Sequence, residues 1–482
     1  MKKNKLMTAL AAMALSTSVF AGGLMTNTNQ SAAFLRSVAR GTTYGADAVY
    51  FNPAGTAFME NGFHISLSNQ MARQTRTISS TYAPFAMGAA NGGLATKEFT
   101  GEAFAAFIPS LHVTWKHNNF AVMAGVGVNG GGGSLEFKNG LGSFERQFSV
   151  IPVALTNAGV PTTQYDMNMY LKGSSMTLAF NVGASYKITE WLSAAALVRF
   201  SPTNNSYTGY MKGIQINPGG AMMPASTYFA SARDMYAQQA AQVAAAYGND
   251  DPRVAALMAA ATEMGTNAVK TADHTLEVEQ KGFTVSPILA LAFKKGNWDA
   301  SVKYEFKMGT ELKIKSAEVS AKDPVINAIF PDGATVKSET PALLATAVSR
   351  QCGPVKVTAE WHHFFDKDAE NSFSPIVKGN TNEYLLGAEW AISDRWLVSA
   401  GAQRTQLNLD ENGYSDMNFS LSSWSFGVGV ACKVTESIMI NLGYMPTLYD
   451  TATAKGQASG VDFTDKYSRT SNAVGLGIDF KF

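Results

Sequence analysis

Of the 482 residues, 16% are charged, against about a quarter in ordinary soluble domains, and mean hydropathy is only −0.04. A formal charge of +1 gives no electrostatic case for nucleic acid, and two cysteines do not make a disulfide framework. Ser, Thr, Asn, Gln and Gly take the place of charge, as in a sheet whose lipid-facing and lumen-facing side chains alternate.

Met1 to Ala21 carries Lys2, Lys3 and Lys5, an apolar run from Leu6 to Phe20, and small residues around Ala21. This predicts a signal peptide over residues 1–21, because the apolar run is shorter than the roughly 20 residues that span a bilayer. It holds three lysines and no acid, so its removal takes the formal charge from +1 to −2. Residues 22–60 contain Phe34, Leu35, Val38, Val49, Phe51 and Phe58 without clean alternation, together with Arg36, Arg40 and Asp47. About forty residues cannot bury a core alone, so this segment is expected to pack against a larger surface. The nearest is the inside of a barrel formed by residues 61–482, which makes it a plug.

From Gly62 onward the pattern changes to period two. Met176, Leu178, Phe180, Val182, Ala184 and Tyr186 alternate with small or polar residues, and Leu192, Ala194, Ala196, Val198 and Phe200 return after Lys187–Glu190. Similar short turns fall at 117–119, 294–297, 349–354, 391–395 and 432–436. Strands on each side of the six turns, plus one at 62–73 and one at 472–482, give about fourteen. The long connections are expected near 74–102, 130–174, 203–282, 310–340, 365–381, 409–417 and 450–470, on the external side if the short turns are periplasmic. The expected fold class is all-β: a transmembrane antiparallel barrel with a plug in its lumen. Trp115, Trp191, Trp298, Trp390 and Trp396 lie near the short turns and Trp361 and Trp424 near the opposite ends, as aromatic girdles require.

The longest connection, 203–282, reads as a helical hairpin. Ser226 is expected to cap a helix ending at Gly248, and Asp251-Pro252 to begin another ending before Gly265. Phe229, Tyr236 and Val243 share one face, and Leu257 and Met258 lie on the second helix. These five are candidates for an external apolar groove, with packing against neighbouring loops as the plainer alternative. Outward apolar faces place Arg199, Lys303, Glu305, Lys307, Lys356, Glu360 and His362 in the lumen. Arg199, Lys303 and Lys307, with Phe34, Arg36, Arg40 and Phe51 of the plug, are candidate ligand or lumen contacts. Mutual ion pairing is the plainer role for each cation, and Arg36 and Arg40 are expected to pair with an acid such as Glu389. Cys352 and Cys432 lie several strands apart and are expected to be free thiols.

No catalytic constellation stands out. The six histidines contain no His-Glu-x-x-His helix, and His362-His363 on a strand point to opposite faces. The Gly130–Gly133 run lacks the Lys-Ser/Thr of a phosphate loop. No metal site, cofactor or enzymatic activity is expected.

The final strand alternates Val474, Leu476, Ile478, Phe480 and Phe482 with small or polar residues. With Gly22-Gly23-Leu24, Asn29-Gln30-Ser31-Ala32-Ala33, Arg40-Gly41, Ala46-Asp47-Ala48 and Asn52-Pro53-Ala54, it resembles the FadL family. That resemblance implies a fourteen-strand outer-membrane barrel of a Gram-negative bacterium, an N-terminal hatch carrying the Asn52, Pro53, Ala54 motif, and passive transport of long-chain fatty acids or other hydrophobic small molecules. It also implies lateral exit through a kinked strand, for which Gly125, Gly127 and Gly130–Gly133 are candidates. The expected partners are the hydrophobic ligand, outer-membrane lipid and lipopolysaccharide, and the barrel-assembly machinery acting on the strand that ends in Phe482; the protein is expected to act as a monomer. The alternatives are a general diffusion porin for polar solutes, which would not need the plug, a loop-based surface adhesin, and a lipid-active barrel enzyme.

Overall fold

Alternating side chains with short polar turns between them produce one closed sheet. The computed structural model describes residues 31–370 and 376–482. The expected signal peptide and the motif residues up to Gln30 lie outside them.

The wall strands are β1 (Gly62–Tyr82), β2 (Thr96–His117), β3 (Phe120–Phe137), β4 (Tyr165–Lys187), β5 (Leu192–Ile216), β6 (His274–Lys295) and β7 (Trp298–Glu305) in the first half. The second half contributes β8 (Leu343–Cys352), β9 (Val355–Phe364), β10 (Thr381–Ala391), β11 (Trp396–Gln406), β12 (Ser423–Thr435), β13 (Ile438–Tyr449) and β14 (Val461–Lys481). Each pairs antiparallel with the next, and β14 pairs with β1 from Phe463↔Tyr82 to Lys481↔His64. The fourteen strands therefore close without an edge.

All six short turns fall where the sequence pattern places them, and both ends of the wall lie on the same side as these turns. Several of the long connections are shorter than expected, while those at 306–342 and 407–422 are longer. The region 203–282 reduces to 217–273, because β5 runs for 25 residues and β6 for 22. A transmembrane strand needs only about 9–11 residues, so these strands continue beyond the lipid, where the outward face turns polar while Tyr207, Leu276 and Val278 point inward. Around the membrane band, Leu67, Phe180, Val182, Leu289, Leu386, Leu442 and Leu476 point outward and are exposed. Trp115, Trp191, Trp298, Trp390 and Trp396 border this band at the short-turn end, and Trp424 at the other. An apolar belt on a sealed sheet is the surface of a membrane-spanning barrel.

The helical hairpin is present with different bounds. Its first helix, α1, is Ala225–Tyr247 and follows Pro224, so Ser226 lies inside it and does not cap it. Gly248 at φ 91° ends it. The second, α2, is Pro252–Lys270, capped by Asp251, and continues through Gly265. A Cβ at Gly265 would stand 3.3 Å from the Arg233 side chain, so this glycine serves close approach between the helices and does not terminate α2. Cys352 and Cys432 are free thiols.

Candidate functional site

Residues 31–60 fold inside the barrel as three short turns of helix. The first, Ala32–Ser37, begins where Ser31 Oγ accepts the Phe34 amide at 3.1 Å. It ends at Val38, whose φ of 51° is rare for a β-branched residue. The second, Ala48–Phe51, leads into the Asn-Pro-Ala motif. Asn52 Oδ1 accepts the Gly55 amide at 3.2 Å, Asn52 Nδ2 donates to the Thr43 carbonyl at 3.1 Å, and Pro53 opens the 3₁₀ turn Pro53–Phe58. Ala54 is fully buried and its carbonyl accepts from Ser193 Oγ of β5 at 2.7 Å. The motif thus stitches two parts of the segment together and fixes them to the wall.

Room for the first helical turn comes from glycine. Gly387, Gly401, Gly427, Gly429, Gly443, Gly475 and Gly477 lie on the inner faces of β10 to β14, where added Cβ atoms would meet residues of the 32–39 stretch. At Gly443 the added carbon would sit 2.7 Å from both the Ala32 carbonyl oxygen and the Arg36 amide nitrogen. The small residues that alternate with apolar ones in these strands are the plug's seat.

Charge fastens it. Arg36 pairs with Glu389 of β10 at 2.7 Å and donates to Ser399 of β11. Arg40 grips Asp47 through two contacts of 2.9 and 3.0 Å and reaches Glu389 at 3.4 Å. The Gly41 amide donates to Glu360 of β9, Ser301 donates to the Gly41 carbonyl at 2.6 Å, and Lys356 donates to the Thr42 carbonyl at 2.9 Å. Buried charges of this kind hold only when paired and hydrogen-bonded, and here both conditions are met.

Beside this attachment is a cavity lined by Tyr50 and Phe51 of the plug and by Arg199, Lys303, Glu305, Glu360 and His362 of the wall. Arg199 donates to Glu305, and Lys303 reaches Glu305 at 2.7 Å and the Tyr50 carbonyl at 2.8 Å. Both cations also stand over the Tyr50 ring, at 5.3 and 5.0 Å. Phe34 stacks on Phe51 at 5.4 Å. Five of the seven plug and lumen candidates, Arg36, Arg40, Phe51, Arg199 and Lys303, therefore touch the attachment or the cavity, and Phe34 backs them. Lys307 does not. The β7 strand ends at Glu305, so the inward alternation stops, and Lys307 is an exposed residue bonded to Glu339 and to the Asp368 carbonyl in the external loops.

The barrel wall is interrupted beside this cavity. Pairing of β2 with β3 runs from His117↔Phe120 to Ser110↔Gly127 and resumes only at Ala103↔Leu135. Residues 104–109 and 128–134 face each other without ladder pairs. Pro109 lacks an N–H to offer, and Asn69 of β1 supplies a substitute by accepting the Ile108 amide at 3.0 Å and donating to the Ala106 carbonyl at 3.3 Å. Gly131, at φ 80°, lies between two bulges against β4, where a Cβ would collide with the Ser175 carbonyl. Asn129 belongs to both places: it lines the cavity and accepts from Tyr50 Oη at 3.3 Å. The break in pairing includes Gly130–Gly133 but not Gly125 and Gly127, which pair with His112 and Ser110; Pro109 and Asn69 at the break were not read from the sequence.

A second, apolar pocket opens among the external loops. Phe144, Leu171, Leu276, Ile326, Ile329, Phe330 and Met417 line it, and none of the five helical-hairpin candidates does. Phe229 is buried against Tyr165, Ile214 and Ile216, and Tyr236, Val243 and Leu257 are half-buried along the paired helices, with Met258 exposed. Ile326 and Ile329 come from a short helix, Pro324–Ile329, capped by Asp323. The Asp-Pro start and apolar spacing of that helix are visible in the sequence, inside a stretch that reads only as a loop.

No family model matches the sequence, and no curated protein matches it. Solved structures do. A Pseudomonas aeruginosa FadL homologue aligns over 96% of this chain and 100% of its own, with a TM-score of 0.62 at 14% identity. The fold is that of a FadL homologue. The toluene transporter TodX of P. putida aligns over 91% of this chain and 95% of its own, with a TM-score of 0.52 at 15% identity. A FadL-type barrel of fourteen strands is an architecture typical of the Gram-negative outer membrane.

Proposed function

We propose that this FadL-type barrel carries long-chain fatty acids or other hydrophobic small molecules passively across the outer membrane of a Gram-negative bacterium. The observation that supports this most is a set of three spaces in the barrel: an external apolar pocket, a cavity beside a seated plug, and a break in β2–β3 pairing that shares Asn129 with that cavity. A hydrophobic molecule gains by leaving water for the pocket. Passage through the break would return it to lipid without crossing the aqueous lumen. The six ion-pair and hydrogen-bond attachments of residues 36–42 block the straight path that a porin for polar solutes requires. A hydrophobic ligand, outer-membrane lipid with lipopolysaccharide, and the barrel-assembly machinery acting on the strand that ends in Phe482 are the partners of this reading, and the barrel acts as a monomer.

The test is to purify the barrel in mild detergent, identify retained small molecules by mass spectrometry, and record single-channel conductance in planar bilayers. Retained hydrophobic compound with little steady conductance is expected. Free ion conduction that deletion of residues 22–60 leaves unchanged would overturn the reading in favour of a porin.

A further inference from the structure

His274, the first residue of β6, lines the external apolar pocket and is 3% exposed. Its Nδ1 lies 2.7 Å from Asp323 Oδ2 and its Nε2 3.1 Å from the Lys270 carbonyl oxygen. An ionised carboxylate and a carbonyl can only accept. A neutral imidazole has one N–H and serves one of these partners, whereas the imidazolium has two and serves both. Lys270 is the last residue of α2, where carbonyls lack helical donors and a cation is favoured.

The same carboxylate caps the short helix Pro324–Ile329, because Asp323 Oδ1 accepts the Val325 and Ile326 amides at 2.9 and 3.2 Å. Ile326, Ile329 and Phe330 form one side of the pocket and Leu276 of β6 another. The turn before the helix is pinned separately, since Ser320 Oγ accepts the Glu277 amide at 2.7 Å and donates to the Thr275 carbonyl at 3.0 Å. Loss of the His274 contact therefore frees the helix and not the whole connection. The other charged groups around the ring are committed elsewhere. Asp273 accepts the Gly213 amide at 2.9 Å, Lys212 stands 5.3 Å from the centre of the Tyr210 ring, and Lys322 pairs with Glu318. Across the pocket Glu145 pairs with Lys97, Arg146 with Asp465, and Asp416 accepts the Ser143 amide at 2.6 Å.

We propose that His274 is a positioning residue whose protonation holds the short helix against β6 and so sets the shape of the external pocket. Protonated, the ring ties Asp323 to the end of α2. Neutral, it must release one of the two acceptors, and the wall that carries Ile326 and Ile329 loosens. A pocket already shaped binds better than one that has to be ordered, so capture of an apolar molecule is tighter in acid and weaker as pH rises. This regulation rests on the reading of the barrel as a carrier of hydrophobic molecules.

Hydrogen exchange of the full-length protein is measured at about pH 5 and about pH 8, either side of the range in which histidine changes charge, and corrected for the intrinsic rate. The Asn327 and Phe330 amides donate to the Asp323 and Ile326 carbonyls within the short helix. Their protection is expected to be about tenfold higher at the lower pH, as loss of one charge-assisted bond implies. In His274→Gln, and in Asp323→Asn, which keeps a capping side chain, that pH dependence should vanish. Binding of N-phenyl-1-naphthylamine, an uncharged fluorophore at both pH values, should be several-fold tighter at the lower pH in the unaltered protein alone. Equal protection at both pH values in the unaltered protein would overturn the latch, and fluorophore binding would leave the carrier reading standing. A pH dependence undiminished in both variants would overturn His274 as its source. Protection that varies with pH while fluorophore affinity does not would overturn the link to the pocket. Absence of fluorophore binding at either pH would overturn the carrier reading, and the exchange data would still decide the latch. The unaltered protein carries the first comparison even if a variant fails to fold.

Discussion

Arg36 of the plug and Glu389 of the wall meet at 2.7 Å although 353 positions separate them in the chain, and Arg40 reaches the same carboxylate at 3.4 Å. Glu389 is the shared anchor of two buried cations. Glu389→Gln therefore strands Arg36 and leaves Arg40 with Asp47 alone, a loss on the order of 3 kcal/mol by comparison with other broken buried pairs. The expected outcome is a folded barrel with a loosened plug, read as steady single-channel conductance where the unaltered protein shows little. Conductance equal to that of the unaltered protein would show that Glu389 is dispensable for seating.

Gly443 tests the seat itself without touching charge. Gly443→Ala places a carbon 2.7 Å from the Ala32 carbonyl oxygen and the Arg36 amide nitrogen, and overpacking of this kind typically costs about 1–3 kcal/mol. The outer face of β13 is unaffected, so the barrel should retain its heat-modifiable migration in gels. Conductance should rise as it does for E389Q, and hydrogen exchange at Phe34 and Leu35 should quicken.

Asn52 joins Thr43 to Gly55 through one side chain. Asn52→Ala removes both bonds, and loss of a helix-capping side chain typically costs about 1 kcal/mol. Exchange of the Gly55 amide should accelerate several-fold, with smaller changes in the Ala32–Ser37 turn. Uniform acceleration across residues 31–60 would mean that the plug opens as one unit.

Asp251 supplies a pH prediction outside the wall. Its side chain accepts from the Arg253 guanidinium and from the Arg253 amide, and these bonds hold its carboxyl down to about 2. The ordinary aspartate value is about 3.9, so this stabilisation of α2 is fully present above that pH and is lost as pH falls through about 2. Hydrogen exchange at Arg253 should therefore lose protection between these two values. In Asp251→Asn the protection should not change over that interval.

Period-two alternation made the barrel legible, because a lipid face and a lumen face impose it on every strand at once. It carried the six short turns and the closure of β14 on β1. It failed where that constraint lapses: beyond the membrane, strands such as β5 continue without an apolar outer face and read as loop. Plug residues were visible as a segment too apolar for a tail and too short to fold alone. Partner choice was legible only for charge, where Arg36 and Arg40 called for an acid and Glu389 was an inward candidate. Lys307 was misplaced because strand length, not alternation, decides whether a residue still faces the lumen. The pocket around Ile326 and Met417 was missed because its residues come from six separate parts of the chain, and no local pattern records that meeting.

The glycine seat has a consequence for assembly. It belongs to β10–β14, the last strands to leave the ribosome, whereas the stretch that occupies it is at the other end of the chain. Loop closure over such a separation is slow, and the docking surface does not exist until those strands have paired. The barrel must therefore pass through a state in which much of its wall is formed and its lumen is still open. That interval exposes a conducting hole to the cell at every round of insertion, and substitutions that weaken the seat would prolong it. Their first phenotype in living cells would be a transient leak during growth, when insertion is frequent, rather than a defect in the finished protein.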